Sequence, residues 1–340
     1  MLSAFGPGRV NLIGEHTDYN GGLALPFAIA EGVTVKAATI AGDQVEALAL
    51  DLDEEDSFEV AQPVRAEGWR AFVRGAVAEL RDAGITPPSA HLEISGNVPL
   101  GAGLSSSAAL EVALTLALIA LAGARRPDRL ALAKLCSRIE NDWTGAQTGL
   151  LDQIASLYGR TGQALRIDFN SLEVREVPLV LGEHKLVTLD SGERHAHATS
   201  GYNQRRDECT RACELLAVAS LSQASSEAVA QLPDLLRRRA SHVLGENVRV
   251  EQAVVALERG DMQALGLLLD ASHRSLRDLY EVSTPAVERT VATLRGAGAL
   301  GARIVGGGFG GHVLALMPPE ARLPDGAREV RPSGEARVLD

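Results

Sequence analysis

The sequence predicts an α+β protein of two domains, and three observations lead to that reading. Strand-like and helix-like segments follow one another without the strict βαβ alternation of a doubly wound parallel sheet. The chain has 340 residues, more than the roughly 250–300 at which a single hydrophobic core stops growing. The texture of the sequence also changes after about residue 160, which divides the chain into residues 1–160 and 161–340.

Taken in order, residues 10–13 form a short apolar strand that runs into a polar, charged turn. LALPFAI (23–29) and GVTVKAATI (32–40) are rich in Val, Ile, Ala and Thr and read as strands. Residues 51–67 are acidic and polar, an exposed excursion. WRAFVRGAVAELRDA (69–83) repeats its apolar residues at helical spacing and stops at Gly84, with Pro87 and Pro88 beyond. Residues 91–110 read as strand, tight turn and helix start. The helix that follows (105–122) is apolar nearly all round and therefore buried. A second helix covers 130–141 and precedes GAQTGLLDQIASLYG (145–159). Strands are predicted at QALRIDF, EVREVPLV and HKLVTLDSG. Helices are predicted at 205–219, several times within 225–280, and at 284–296. GARIVGGGFGGHVLALM (301–317) is two strands around a glycine loop. The tail, 318–340, shows little periodicity and is expected to pack back on the first domain.

Composition excludes several classes. With 33 Lys+Arg against 44 Asp+Glu the formal charge is −11, which repels a phosphate backbone and argues against a nucleic-acid partner. A hydrophobic content of 46% is too high for a disordered chain. The longest apolar stretch, 112–122, is far short of the ~20 residues a spanning helix needs. No secretory signal is visible and three cysteines make no disulfide framework, so a cytoplasmic location is expected. Glycine is unevenly spread: 16 of 34 lie in 1–22, 96–103 and 296–311. Such clustering marks places where backbone must come close to something or take positive φ.

Each cluster carries chemistry. In GLSSSAAL, glycines precede Ser105, Ser106 and Ser107 at the start of a long helix, whose free amides and dipole favour an anion. A serine N-cap on an ordinary buried helix is the plain alternative. A Walker-type loop is excluded, because Lys36, Lys134 and Lys185 are the only lysines and none follows glycine. GGGFGGHV (306–313) fits the dinucleotide spacing, but a strand-like run follows where that fingerprint needs a helix. A tight structural hairpin explains it equally well when it is taken alone. Around the first strand, Arg9, Glu15, His16 and Asp18 mix donors and acceptors as a multi-hydroxyl ligand requires.

Together the three segments resemble the three motifs of the GHMP small-molecule kinases. The first, R-V-N-L-I-G-E-H-T-D-Y-N, is similar to the signature of the galactokinase branch. Further matches lie at LDQIAS (151–156), SGERHAHATSGYNQRRDEC (191–209), ENVRV (246–250) and SHRSLRDLYEVSTP (272–285), so the resemblance spans roughly residues 5–317. It implies a two-lobed fold with the active site in the cleft. It also implies ATP-dependent phosphorylation of D-galactose at the C1 hydroxyl to galactose 1-phosphate, the first committed step of galactose catabolism, by a monomer using ATP and Mg²⁺. Residue by residue, it places Glu15, His16, Asp18, Gly149 and Tyr202 on the sugar. Asp152 stands beside the anomeric hydroxyl, paired with Arg9. Gly101, Gly103, Leu104, Ser105, Ser106 and Ser107 wrap the phosphates, and Ser106 and Glu140 hold the metal. The remaining histidines (His195, His197, His242, His273) are expected to be structural, and Cys209 and Cys213 to be packing residues. Sister sugar 1-kinases acting on N-acetylgalactosamine, arabinose or galacturonate share these motifs. A non-catalytic galactose sensor would have lost them.

Overall fold

A computed structural model of the chain describes residues 1–98, 103–194 and 198–339. The first lobe is a six-stranded sheet of β1 (Leu2–Asn11), β3 (Pro26–Thr39), β4 (Gln44–Ala49), β5 (Glu54–Glu59), β6 (Ala90–Gly96) and β13 (Arg337–Leu339), in the order β13-β1-β3-β6-β4-β5. All neighbours are antiparallel except β4 and β6. Helices α1 (Trp69–Asp82), α2 (Ser106–Leu121), α3 (Arg129–Arg138) and α4 (Leu151–Tyr158) share a core with this sheet through residues such as Val35, Leu92, Val77, Leu114, Leu135 and Ile154. Every residue from 108 to 119 is buried, as expected of a helix apolar on all sides.

The second lobe pairs β10 (Gly301–Ile304), β11 (Gly310–Met317), β9 (Lys185–Arg194) and β12 (Arg328–Val330) in that order. Its helices are α5 (Ala198–Leu216), α6 (Ser226–Val229), α7 (Asp234–Arg259), α8 (Met262–Ser275) and α9 (Pro285–Gly296). Several starts are written in the sequence: Asp261 and Thr284 accept bonds from the backbone amides of Ala264 and Val287, and Pro285 follows Thr284 at the first helical position. A small third sheet, β2 (Leu23–Ala24) with β7 (Gln163–Asp168) and β8 (Glu173–Pro178), lies between the lobes. Among the described residues no helix is long and apolar enough to cross a membrane.

The structure corrects the sequence reading in four places. The first strand covers Leu2–Asn11, not 10–13 alone. Gly6 and Gly8 look like breakers, but they are there because α2 and the turn before it lie directly on the strand. A Cβ at Gly8 would stand 2.7 Å from the Leu104 carbonyl oxygen, and one at Gly6 would run into the Ala109 carbonyl. The acidic excursion contains β5, an edge strand whose buried anchor is Phe58; charge on an edge strand blocks pairing with other chains. The runs at 23–29 and 32–40 divide instead into a two-residue strand in one sheet and a single 14-residue strand in another. The helix expected at 130–141 ends at Arg138 and continues as a π-helical turn over Ile139–Thr144, a distortion that clusters at functional sites.

Candidate active site

The site begins at an irregularity in β1. The β1–β3 register shifts between Pro7 and Arg9, and such a bulge re-aims the side chain that follows. The Arg9 guanidinium grips Asp152, on the first turn of α4, with two parallel bonds: Nε to Oδ1 at 2.7 Å and Nη2 to Oδ2 at 3.0 Å. Its third edge donates to the Gly103 carbonyl at 2.5 Å. Burial works against the charge, but the carboxylates of Asp152, Glu15 and Asp18 outweigh it, and the Arg9 pKa rises. Asp152 Oδ2 also accepts the Ser105 hydroxyl.

That bond decides the role of the serine run. Ser105 precedes α2 with φ +60° and ψ +50°, and its side chain makes no capping bond. The hydroxyl that would cap an ordinary helix is spent on Asp152, so among the described residues the first-turn amides of α2 have no side-chain cap. Ser106 faces the cavity. Ser107 donates to Glu140 Oε1 at 2.7 Å, and Glu140 Oε2 accepts from Thr148 at 2.8 Å and Gln153 at 3.1 Å. Burial, reinforced by the Asp152 charge, raises the Glu140 pKa. The second and third glycine segments meet here: a Cβ at Gly103, which has φ +71°, would stand 2.9 Å from the Val305 carbonyl oxygen.

The other wall belongs to the first motif. Glu15 is buried, accepting from Asn11 Nδ2 (3.0 Å) and the Gly306 amide (2.8 Å), with the fully buried Arg303 at 3.2 Å. His16 takes positive φ (+62°), a conformation a non-glycine residue holds only where its surroundings enforce it. Burial pushes its imidazole well below the usual pKa. Burial and the nearby Asp152 charge push Asp18 up to about 7. Gly149 lies so close to Asp18 that any β-carbon there would meet the carboxylate. Together with Tyr202, Gly306 and Gly307 these residues enclose a cavity of about 250 Å³. A second cavity of about 650 Å³ shares Ser106 and Ser107 with it and is walled mainly by apolar and aromatic groups, among them Val33, Trp69, Phe72 and Ile94.

Comparison with known proteins identifies the family. The family descriptions "GHMP kinases N terminal domain", "GHMP kinases C terminal" and "Galactokinase galactose-binding signature" match residues 71–160, 253–335 and 2–39. Galactokinase of Mycobacterium tuberculosis (strain H37Rv) is 42% identical over 346 residues, covering 97% of this chain and 93% of that protein. Galactokinase of Thermotoga maritima is 40% identical over 311 residues, covering 91% and 87%. The chain belongs to the galactokinases of the GHMP kinase family. The crystal structure of Lactococcus lactis galactokinase complexed with galactose superposes with a TM-score of 0.93 at 31% identity, covering 99% of this chain and 95% of that one. Mevalonate kinase, at 19% identity and a TM-score of 0.72, shares the fold.

In this galactokinase the 250 Å³ cavity gathers Arg9, Glu15, His16, Asp18, Gly103, Ser105, Ser106, Ser107, Gly149, Asp152 and Tyr202. Two expected residues stand elsewhere. Glu140 sits behind Ser107, away from the cavity surface. Leu104 is a correction: its side chain packs in a hydrophobic cluster with Val10 and Leu12, and only its carbonyl takes part, accepting the Arg9 amide at 3.1 Å. Gly101 lies outside the described residues, as do His195 and His197. His242 is buried and braces the site, 3.1 Å from the Glu15 carbonyl and 2.8 Å from Ser275 Oγ, while His273 stands 3.1 Å from Glu288. Cys209 is buried in a hydrophobic cluster against which the half-buried Cys213 packs.

Sequence reasoning missed the larger cavity, since Trp69 at the first position of α1 looked like any residue of an amphipathic helix. It also missed Arg303, which donates to the Asn11 and Leu12 carbonyls and ties the third motif to the first. A cation inside an otherwise apolar strand, AR(303)IV, was the available signal. The ENVRV match now has a physical content. Glu246 accepts from the Gly14 amide at 3.0 Å and Asn247 from the Leu23 amide at 2.8 Å, so α7 holds the first-motif turn in place.

Proposed function

We infer that the chain transfers the γ-phosphoryl group of ATP to the C1 hydroxyl of D-galactose, in line and without a covalent enzyme intermediate. The observation that carries this reading is the Arg9–Asp152 pair. It stands in one cavity between a hydroxyl-binding wall (Glu15, His16, Asp18, Gly149, Tyr202) and uncapped helix amides beside Ser105–Ser107. The 650 Å³ cavity, which joins it at Ser106 and Ser107, has the apolar lining and size that a nucleoside requires. With no Walker lysine, phosphate charge is met by backbone amides, the α2 dipole and Arg9.

Asp152 orients more than it deprotonates. Its carboxylate has about four lone-pair sites, of which Arg9 and Ser105 take three. The site left on Oδ1 accepts the C1 hydroxyl. A loose phosphoryl-transfer transition state needs little base assistance, so holding the oxygen in line matters most, and the proton passes to Asp152 late. Arg9 stabilises charge on the transferring group.

Mg²⁺ would be held by Ser106 and Glu140. Among the described residues no group of three or more His, Cys, Asp or Glu could hold a metal. Ser106 faces the cavity, whereas the Glu140 carboxylate stands behind Ser107 with both oxygens engaged, so it would reach the ion through Ser107 or a water, which suits an ion that keeps much of its hydration. When bound it neutralises phosphate charge. The described walls of the site all come from one chain, so a monomer can carry out the reaction. The test is an ATP/Mg²⁺ assay over free hexoses and pentoses, with galactose the best substrate; a better substrate among the others overturns the assignment.

A further inference from the structure

Behind the sugar-facing wall lies a third cavity, of about 370 Å³, that the mechanism does not use. It shares Asp18, Thr148 and Gly149 with the 250 Å³ sugar cavity, so these three residues form a thin partition with open space on both sides. Gly149 closes on the Asp18 side chain within that partition: a β-carbon there would stand 2.5 Å from Asp18 Cγ. A close approach beside open space persists only where something holds both sides, and the loop supplies little of its own. Residues 146–149, between the π-helical turn and α4, make no backbone–backbone hydrogen bond among the described residues. The Thr148 hydroxyl is anchored on Glu140, which fixes one side chain but not the path of the chain.

The hold comes from the other lobe. On α5, Arg206 Nη1 donates to the Gln147 carbonyl at 2.5 Å and to the Thr148 carbonyl at 3.2 Å, and Asn203 Oδ1 accepts the Gln147 amide at 3.3 Å. The Arg206 guanidinium also lies over the Tyr19 ring, 5.8 Å from its centre, within the reach of cation–π attraction. One side chain therefore touches both halves of the partition: the turn that carries Asp18 and the loop that carries Gly149. Four residues earlier, on the same face of α5, stands Tyr202, which lines the sugar cavity. Arginine suits this task better than lysine, because its planar fork is already arranged for several bonds at once and loses less freedom for each.

We propose that Arg206 is a positioning residue: by tying the Gln147 and Thr148 carbonyls to α5 it holds Gly149 against Asp18, and so sets the width of the sugar pocket and which sugars it admits. This deepens the sugar-kinase reading of the pocket and rests on it. With the tie cut, the loop is free to back into the 370 Å³ cavity. The pocket then fits galactose less closely and tolerates a substituent that the closed partition excludes.

The experiment has two arms, both on the full-length protein. The first needs no substrate: hydrogen–deuterium exchange of the unliganded protein, followed in peptides covering 145–150. Arg206→Ala should speed exchange there by about tenfold, roughly one charge-assisted hydrogen bond's worth, while peptides of α2 keep their wild-type rate. The second arm measures the galactose KM of wild type, Arg206→Ala, Gly149→Ala and the double variant. Arg206→Ala should raise KM by about tenfold on the same reasoning and leave the ATP KM within about twofold. Gly149→Ala should raise the galactose KM strongly in wild type but by only about threefold or less when added to Arg206→Ala, because the freed loop carries the new methyl away from Asp18. An arginine that merely stabilises the fold gives additive effects. Among the 2-, 3-, 4- and 6-O-methyl galactoses, one should gain about tenfold in kcat/KM relative to galactose in Arg206→Ala, the one whose methyl meets the partition. Arg206→Lys keeps the charge without the fork and should fall between wild type and Arg206→Ala in every readout; it carries the test if Arg206→Ala does not fold. Unchanged exchange at 145–150, additive KM effects, or an unchanged ranking of the methyl ethers overturns the proposal. If wild type does not phosphorylate galactose, the sugar reading fails, and the exchange arm still decides whether Arg206 holds the loop.

Discussion

Gly149→Ala isolates a single contact in the sugar wall. Gly149 does not adopt the left-handed backbone that glycine favours, so alanine suits its chain conformation, but the new β-carbon would stand 2.5 Å from Asp18 Cγ and 3.0 Å from Asp18 Cβ. Ordinary carbon contacts begin near 3.5 Å, so the Asp18 side chain must retreat by about 1 Å, enough to break a hydrogen bond to a sugar hydroxyl. A bond to a charged group contributes about 1.5–3 kcal/mol, so the galactose KM should rise by about 10- to 100-fold. The ATP KM should stay within about twofold, since the larger cavity does not include Gly149. Initial rates with each substrate varied at saturating levels of the other provide the measurement. A control comes from Asp18→Ala: with the obstructed side chain gone, adding Gly149→Ala should cost little more. An unchanged galactose KM, or an equal rise for ATP, refutes the assignment of Gly149 and Asp18 to the sugar wall.

Three further outcomes are expected. Asp152→Asn should lower kcat by about 10²–10⁴-fold, measured in steady state; near-normal turnover would remove Asp152 from the chemistry. Asp18, with its pKa near 7 in the folded protein against an ordinary 3.8, should make kcat/KM for galactose climb with pH through about 7, where the better-accepting carboxylate forms, and Asp18→Asn should flatten that profile. Because the folded-state pKa is raised, folding of the unliganded protein is penalised increasingly as pH rises from about 4 to 7, so Asp18→Asn should raise Tm at pH 8 and leave it nearly unchanged at pH 4. Trp69→Ala, which opens the apolar wall of the larger cavity, should raise the ATP KM about tenfold or more and spare the galactose KM.

Most of this site was legible because its chemistry is local in sequence. Glu15, His16 and Asp18 fall within one turn and the serines follow one another, so residue types at short spacing announced them, whereas Asp152 and Glu140 were named only by the family resemblance. What stayed hidden depends on long-range closure. The first strand was expected only from Val10, because nothing in the neighbourhood of Gly6 and Gly8 reveals that α2 will lie on them. Phe58 and Val60 are the buried apolar residues of a mostly acidic run, and only the pairing of its strand with β4 shows it as sheet. The nucleotide-sized cavity is assembled from β3, β4, β6, α1 and α2, each of which looks like ordinary core on its own. The Ser105 hydroxyl could not be read at all: a serine before a helix predicts a cap, and its actual partner, Asp152, lies 47 positions further on.

The pairing of β13 with β1, through Ser3–Leu339, Ala4–Val338 and Phe5–Arg337, has a consequence for biosynthesis. On the ribosome β1 emerges long before β13, so the strand that bears Arg9 keeps one bare hydrogen-bonding edge while the segments between them are made. A bare edge is a template for pairing with other nascent chains. Chains that stop before β13 would leave that edge exposed permanently, and such fragments should accumulate in aggregates while chains that carry β13 stay dispersed.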